Sequence, residues 1–236
     1  MSNLPPATSA GSSAICAQKI SRAQLQDLLA AADAPLLFEG CDFDAADLSR
    51  LDLNEVTFKR CSLLETSFYA ASLSQSVWIG CRAGAAVFEA ADLADASFEN
   101  CDFNNSNWRR ASLSAATFKG CKLTGANLEE VAHLGLTFVD TLLIGADLRK
   151  MSFRKQRLQQ LDFSDADLSG CDFSQSVFVG GSLRNAHFKL SRFDGADLRE
   201  ADIGGLQLQD AKLFRGATIS RAQAAMLLSE LGLSVA

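Results

Sequence analysis

The sequence predicts an all-β solenoid, a tube in which the chain coils around four sides and is closed by a short helix at each end. Two regularities predict this class: a large apolar residue stands at nearly every fifth position, and a cysteine recurs at every twentieth over part of the chain. A short fixed period of this kind is the signature of repeat architectures, in which each unit buries its apolar face against its neighbours.

The five-residue register begins at Phe38 and continues without a break to Leu213. It includes 36 positions, of which 31 are Phe or Leu, and only Ala83 and His133 lack a large apolar group. Two residues before most of these positions stands a small or apolar residue, often Ala or Cys. A period of five fits neither a helix nor an alternating strand, which excludes long amphipathic helices and ordinary strands from this region.

A chain that turns a corner every five residues places one large and one small side chain inside on each side. Four such sides close a coil in twenty residues, and the cysteine spacing favours that number because four-sided coils stack the cysteines in one column. The 36 repeats then form about nine coils, spaced about 4.8 Å apart like paired strands. The stacked cysteines are Cys41, Cys61, Cys81, Cys101 and Cys121.

The repeats resemble those of the pentapeptide-repeat proteins, whose pattern is Ala-(Asp/Asn)-Leu-x-x. The resemblance extends from about Leu36 to Ser220. It implies a right-handed quadrilateral β-helix, and the handedness comes from the family rather than from the spacing. Clear copies of the pattern begin at Ala46, Ala91, Ala126, Ala146, Ala166 and Ala196.

Both ends of the repeat region predict capping helices, since a solenoid must cover its terminal coils. The segments beginning at Ser21 and Ser220 both read Ser-Arg-Ala-Gln, the form of a capping box, and apolar residues at helical spacing follow. The predicted divisions are a flexible N-terminal tail at 1–19, an N-terminal capping helix at 20–35, the repeat β-helix at 36–219, and a C-terminal helix with a dimerisation tail at 220–236.

The C-terminal segment resembles that of the Qnr-type quinolone-resistance proteins, a subgroup that dimerises through this end. The resemblance implies a homodimer in which two rods join end to end. The apolar tail beyond Gly232 suits such a contact. The expected dimerisation residues are Met226, Leu227, Leu228, Leu231, Leu233 and Val235.

The sequence contains no pattern typical of a catalytic, cofactor-binding or metal-binding site. His133 takes an inward position, where we expect a neutral, hydrogen-bonded ring or a local bulge rather than a catalytic base. Seven cysteines, an odd number, suit a reducing compartment and buried thiols rather than disulfides. We therefore expect a protein that is not an enzyme and binds no cofactor and no metal.

Charge is distributed in bands along the chain. Residues 36–105 contain twelve acidic and four basic side chains, whereas residues 106–160 contain four acidic and nine basic ones. The family resemblance implies that an acidic rod about as wide as a DNA duplex imitates DNA for a partner with a basic saddle. The expected partner-binding residues are Asp42, Asp44, Asp47, Asp52, Asp92, Asp95, Glu99 and Asp102.

Outward apolar residues on one side of the rod indicate a second candidate contact with a protein. They flank the inward position of the column that contains Phe58 and Trp78. These residues are Val77, Ile79, Val139, Val177 and Val179.

We expect from these patterns a cytoplasmic homodimer that engages a type II topoisomerase, DNA gyrase or topoisomerase IV, and either modulates it or protects it from quinolones. The alternative is a structural scaffold or adaptor for another assembly, such as a secretion system. Membrane insertion is not expected, because no apolar run is long enough to span a bilayer. A net charge of −6 weighs against direct nucleic-acid binding.

Overall fold

A computed structural model of the chain describes residues 14–230 and 232–234, apart from the side chains of Leu208 and Gln209. Nine short strands, two α-helices and one 3-10 helix account for its regular elements. They are β1 (Ile15–Cys16), α1 (Arg22–Ala31), β2 (Leu37–Glu39), β3 (Thr57–Lys59), β4 (Val77–Ile79), β5 (Ser97–Glu99), β6 (Thr117–Lys119), β7 (Thr137–Val139), β8 (Arg157–Gln159), β9 (Val177–Val179), the 3-10 helix (Leu208–Phe214) and α2 (Arg221–Glu230).

The strands form one parallel sheet in the order β1 to β9, so each strand pairs with its neighbour in sequence. From β2 onward equivalent residues are twenty apart, as in the pairing of Phe38 with Phe58. The other three sides of each coil are joined by single parallel bridges with the same separation, including Asp42 to Ser62. The predicted all-β, four-sided solenoid is thereby confirmed, with about eight coils instead of the nine expected.

We name the four sides by their order in the coil. The sheet side carries β1 to β9 and the inward residue Phe38, the second side carries Phe43, the third Leu48 and the fourth Leu53, each with its equivalents at twenty-residue intervals. The second and fourth sides are opposite each other, as are the sheet side and the third.

Backbone hydrogen bonds explain how each side ends in a corner. On the second side the Phe43 and Ala45 N–H groups donate to the next coil, at Ser62 and Leu64, while the Ala46 N–H donates back to the Phe43 carbonyl. The turn places Ala45 in the left-handed region, with φ of 57°. This conformation costs a non-glycine residue about 1 kcal/mol or more, and the ladder bonds to the neighbouring coil offset that cost.

The inward positions form one continuous apolar core. The expected interior location of Phe98, Phe118 and Phe138 is confirmed, because these side chains are 1%, 0% and 6% exposed. Rings of successive coils stack, as for Phe68 and Phe88 with centroids 5.0 Å apart. Offset stacking of this kind adds to the burial of apolar area.

The two inward tryptophans each receive a specific partner from the small-residue position of the same side. Trp78 Nε1 donates to Ser76 Oγ at 2.9 Å, and Trp108 Nε1 donates to Ser106 Oγ at 2.6 Å. Both serines are buried. A buried indole N–H without an acceptor would be destabilising, so serine stands here where most repeats have Ala or Cys.

Both capping helices are present. In α1 the Ser21 side chain and the Gln24 side chain form the predicted capping box, and Leu25 is fully buried. Gln223, in the first turn of α2, donates from Nε2 to the Leu198 and Ala201 carbonyls, both at 2.7 Å. The helices therefore cover the open coils, and α2 also satisfies the Ala201 carbonyl, which would accept from a further coil if one followed.

The start of the solenoid differs from the predicted boundary. Ile15 and Cys16 pair with Phe38 and Glu39 and so add a strand to the first coil, and Ile20 is buried. Residues 14–19 thus belong to the rod rather than to a flexible tail, because their backbone pairs with the otherwise open edge of β2. The remainder of the predicted tail, residues 1–13, lies outside the described residues.

The five-residue register also ends earlier than predicted, at Ile203. The 3-10 helix takes the place of a regular side, and Leu213 is only partly buried. The last bridge joins Asp197 to Thr218, a separation of 21 residues rather than 20. One additional residue in this coil accommodates the helix, which is why the sequence register continues after the regular geometry has ended.

Replacing Phe98 by Ala tests the core. The ring is buried between two neighbouring coils, so we expect the free energy of unfolding to fall by about 3–5 kcal/mol, measured by denaturant unfolding. Thr117→Ala, at an exposed position on the adjacent coil, is the control and should change stability by less than about 0.5 kcal/mol. A loss below about 1 kcal/mol for Phe98→Ala would contradict this packing.

Candidate protein-binding surface

The predicted partner-binding residues do not form one patch. Three of them lie on the second side and three on the fourth, whereas Asp47 lies on the third side and Glu99 on the sheet side. Six of the eight predicted residues thus lie on two opposite sides of the rod. Those of the second side are Asp42, Asp44 and Asp102, and those of the fourth are Asp52, Asp92 and Asp95.

Five of the seven predicted aspartates accept a backbone hydrogen bond within the turn that they occupy. The carboxylate of Asp92 accepts a hydrogen bond from the Ala94 N–H at 3.2 Å, and that of Asp102 accepts one from the Asn104 N–H at 3.1 Å. Side-chain bonds of this kind favour turns. The same bond is made by Asp42, Asp47, Asp52, Asn107, Asn127, Asp147, Asp162, Asp167, Asp172, Asp197 and Asp202.

This turn function was missed by the charge argument, although the preference for Asp or Asn before the inward Leu or Phe signals it. Asn107 and Asn127 make the same bond without a charge. An aspartate at this position therefore combines a local structural function with a negative charge held in a fixed place.

Some of the acidic residues are committed to other contacts. Asp44 accepts hydrogen bonds from the Ser62 hydroxyl at 2.7 Å and from the Leu64 N–H at 2.8 Å, which joins two coils. Hydrogen bonds from Ser49, together with Arg22, hold the pKa of Asp47 below its ordinary value.

Longer ion pairs involve two further carboxylates, Asp42 with Lys19 and Glu99 with Lys119, both at 3.9 Å. Exposed pairs at this distance stabilise a protein little. Within the described ranges, ion pairs are absent from five of the predicted residues: Asp44, Asp52, Asp92, Asp95 and Asp102.

The basic band of residues 106–160 is largely neutralised. On the third side Glu129 lies 3.5 Å from Arg109 and 3.2 Å from Arg149, and Glu130 lies 3.0 Å from Arg110. Of the band's other cations, those without an ion pair to any described residue are distributed over all four sides. They are Lys122, Lys150, Lys155 and Arg157.

The outward apolar residues of the sheet side are also separated. Val77 and Ile79 share β4, but Val139 lies three strands away, at about 14 Å for a strand spacing of about 4.8 Å. Polar residues of β5 and β6 stand between them. Val177 and Val179 on β9 form a second small group, in which Val177 is 37% exposed.

The cysteine column is buried as predicted, and all seven cysteines are free thiols. Burial raises the pKa of the Cys171 thiol to about 12, so this side chain is a protonated filler of the core. In the part of the chain that the structure describes, no group of three or more His, Cys, Asp or Glu side chains is arranged to hold a metal ion.

The expected dimerisation residues divide into two sets. Met226 and Leu227 pack partly against the core and cover the last coil, whereas Leu228 and Leu233 are 38% and 55% exposed. The remaining two, Leu231 and Val235, lie outside the described residues.

These features define a rod-shaped parallel β-solenoid whose outer surface carries carboxylates held in fixed positions by turn hydrogen bonds. Models of pentapeptide repeats match residues 51–128, described as a pentapeptide repeat region, and residues 138–175 and 177–213, described as pentapeptide repeats of eight copies. The chain belongs to the pentapeptide-repeat family.

Two solved structures similar to this chain are of QnrB1, described as a plasmid-mediated fluoroquinolone resistance protein. A trypsin-treated form matches with a TM-score of 0.68 and 22% identity, over 94% of this chain and 97% of that one. The full-length form matches with a TM-score of 0.65 and 22% identity, over 93% and 97%. At this identity the likeness shows the fold. A search with the sequence among curated proteins found no match.

None of the helices in the described ranges has the length and apolar character that a membrane span requires.

Variants of Asp102 separate the turn function from the charge. Asp102→Ala removes the acceptor for the Asn104 N–H, and we expect it to lower the free energy of unfolding by about 1 kcal/mol. Asp102→Asn keeps an acceptor oxygen and should change stability by less than about 0.5 kcal/mol. Thermal or denaturant unfolding measures both, and equal losses for the two variants would show that the charge itself stabilises the turn.

Proposed function

We propose that this protein is a non-enzymatic binding protein that engages a type II topoisomerase, DNA gyrase or topoisomerase IV, through the acidic second and fourth sides of its rod. The observation that carries the proposal is that three of the predicted residues are turn-bound carboxylates without ion pairs: Asp52, Asp92 and Asp102. The similarity of the fold to QnrB1, a fluoroquinolone resistance protein, supports a topoisomerase as the partner.

The geometry suits recognition by a DNA-binding surface. Eight coils at about 4.8 Å make a rod about 40 Å long, with negative charge on two opposite sides. A surface that neutralises phosphates with Lys and Arg attracts such charges by the same electrostatics. Because hydrogen bonds to the backbone fix the carboxylates before binding, little side-chain freedom is lost on association.

Charge-neutral variants test this surface. Replacement of Asp92, Asp95 and Asp102 together by Asn keeps the turn acceptors and removes three charges. We expect topoisomerase affinity to fall at least tenfold, since each lost charge-assisted contact removes about 1 kcal/mol or more, with the folded rod unchanged by circular dichroism. Surface plasmon resonance on gyrase measures affinity, and a supercoiling assay with a quinolone measures the functional effect.

The matched control removes cations instead. Lys122→Gln with Lys155→Gln, at positions without ion pairs, should leave the affinity unchanged or raise it. Absence of binding, inhibition and protection with the wild-type protein would exclude the topoisomerase proposal. If the triple Asn variant binds as tightly as the wild type, the acidic sides are not the binding surface.

We also propose that the protein is a homodimer joined through its C-terminal end. The exposed Leu228 and Leu233 beyond the capping contacts support this arrangement. Burial of two leucines at each end of a twofold contact contributes favourably to association.

The Leu228→Glu variant tests the dimer. Burying an unpaired carboxylate at an apolar contact is strongly unfavourable, so we expect a monomeric mass at micromolar concentration, where the wild type shows a dimeric mass in analytical ultracentrifugation. Leu134→Glu, at a residue 86% exposed in the middle of the rod, is the control and should remain dimeric. A monomeric wild type would refute the proposed dimer.

A scaffold or adaptor function is the second candidate. The apolar Val77 with Ile79 on β4 and Val177 with Val179 on β9 favour it, since such residues suit contacts with another protein. In that case the topoisomerase assays would show no effect, and a binding partner would be lost on replacing these residues with Ser or Thr. Either function fits a cytoplasmic protein, which is part of the proposal.

A further inference from the structure

One junction between coils lacks the regular backbone pairing. The adjoining strands from β2 to β7 and the pair β8 and β9 join by three residue pairs each, whereas β7 and β8 join only through Val139 and Gln159. On the fourth side bridges join Ser112 to Ala132 and Ser152 to Asp172, yet among the described residues none joins Ala132 to Ser152. The interruption extends along residues 130–138 and their neighbours 150–158.

The imidazole of His133 takes the place of the missing backbone bond. At equivalent positions the amide corresponding to Ser152 donates to the preceding coil's carbonyl, as the Asp172 N–H does to the Met151 carbonyl. Here the Ser152 N–H donates instead to His133 Nε2 at 3.1 Å, and Nδ1 lies 3.1 Å from the Val131 carbonyl. Because Nε2 accepts and the carbonyl can only accept from Nδ1, these two bonds require the neutral ring with its proton on Nδ1.

The core is weaker at the same junction. Val131, Leu136 and Phe138 are 7%, 4% and 6% exposed, whereas most inward side chains elsewhere are almost fully buried. Contacts between described aromatic rings run from Phe38 to Phe138 and start again at Phe153, with none across the junction. Pockets open to the surface, of about 100 Å³ beside His133 and about 270 Å³ on the sheet side, lie along the same junction.

We propose that this junction is a pH-dependent joint in the rod, closed by neutral His133 and loosened when the ring takes up a second proton. Protonation at Nε2 would place an N–H against the Ser152 N–H, two donors facing each other. The closed junction therefore favours the neutral ring. The hydrogen bond to Ser152 is therefore present at higher pH, where the ring is neutral, and is lost when a falling pH protonates the ring.

The charged groups around the ring do not supply a replacement bond. From its own coil Glu129 and Glu130 line the pocket, and from the next coil Arg149 and Lys150 line it. Both carboxylates are engaged by arginines, and Arg149 is itself paired with Asp147 and Glu129. Lys150 is the lining cation without an ion pair to any described residue, and it opposes a further positive charge. Arg154 and Lys155 follow Ser152 on the fourth side, and Arg154 is paired with Asp172 at 3.8 Å.

Amide hydrogen exchange followed by NMR tests the joint at single residues. After correction for the intrinsic exchange rate, we expect protection of the Ser152 amide to fall about five- to tenfold between pH 7.5 and 5.5, the effect of losing one hydrogen bond. The His133 ring resonances and the Ser152 amide shift should titrate with the same midpoint. The Ala132 and Asp172 amides, which donate to backbone carbonyls, are internal references and should keep their protection.

Variants of the two histidines identify the group that causes the pH dependence of Ser152 protection. Gln at position 133 offers an acceptor that does not titrate, so His133→Gln should make Ser152 protection independent of pH. The matched control His187→Gln removes the other histidine, on the third side, and should leave the pH dependence intact. Unchanged wild-type protection between the two pH values, different midpoints for ring and amide, or a pH dependence that survives in His133→Gln would each overturn the proposal.

Discussion

The structure depends on the inward placement of one large apolar side chain in every five residues. A coil of twenty residues has no interior of its own, and Phe98 is buried only because Trp78 and Phe118 lie above and below it. The interface between neighbouring coils therefore supplies both the apolar burial and the parallel backbone hydrogen bonds. The ends of such a rod must be covered, which is the function of α1 and α2.

The same constraint determines the surface. Nearly every corner places a residue in the left-handed region, and at many corners an aspartate or asparagine side chain accepts a hydrogen bond from the turn. Negative charge on the second and fourth sides is thus partly a consequence of coil geometry. The turn does not require a negative charge, since Asn makes the same hydrogen bond. The features that suit a residue such as Asp92 for binding a partner are therefore its charge and the absence of a cationic side chain that neutralises it.

The His133 junction shows what happens where the inward rule is broken. A polar ring at this position cannot fill the apolar interior, so it turns toward the backbone and bonds to Ser152 across the coils. The regular ladder is lost over about one half of the coil, and pockets open to the surface appear beside it. The rod thus consists of two regular segments, and at the junction between them a hydrogen bond from the Ser152 N–H to the His133 ring replaces a backbone hydrogen bond.

The sequence by itself determined the period, the number of sides, the inward residues and both capping boxes, because these follow from local spacing. Its register could not show that Ile15 pairs with Phe38 or that the last coil contains a 3-10 helix, since both depend on which backbone edges remain open. The four-sided register already assigns each predicted acidic residue to its side. Only the tertiary structure decides which of these charges are already paired, because the rotamers that bring side chains of stacked coils together do not follow from the register.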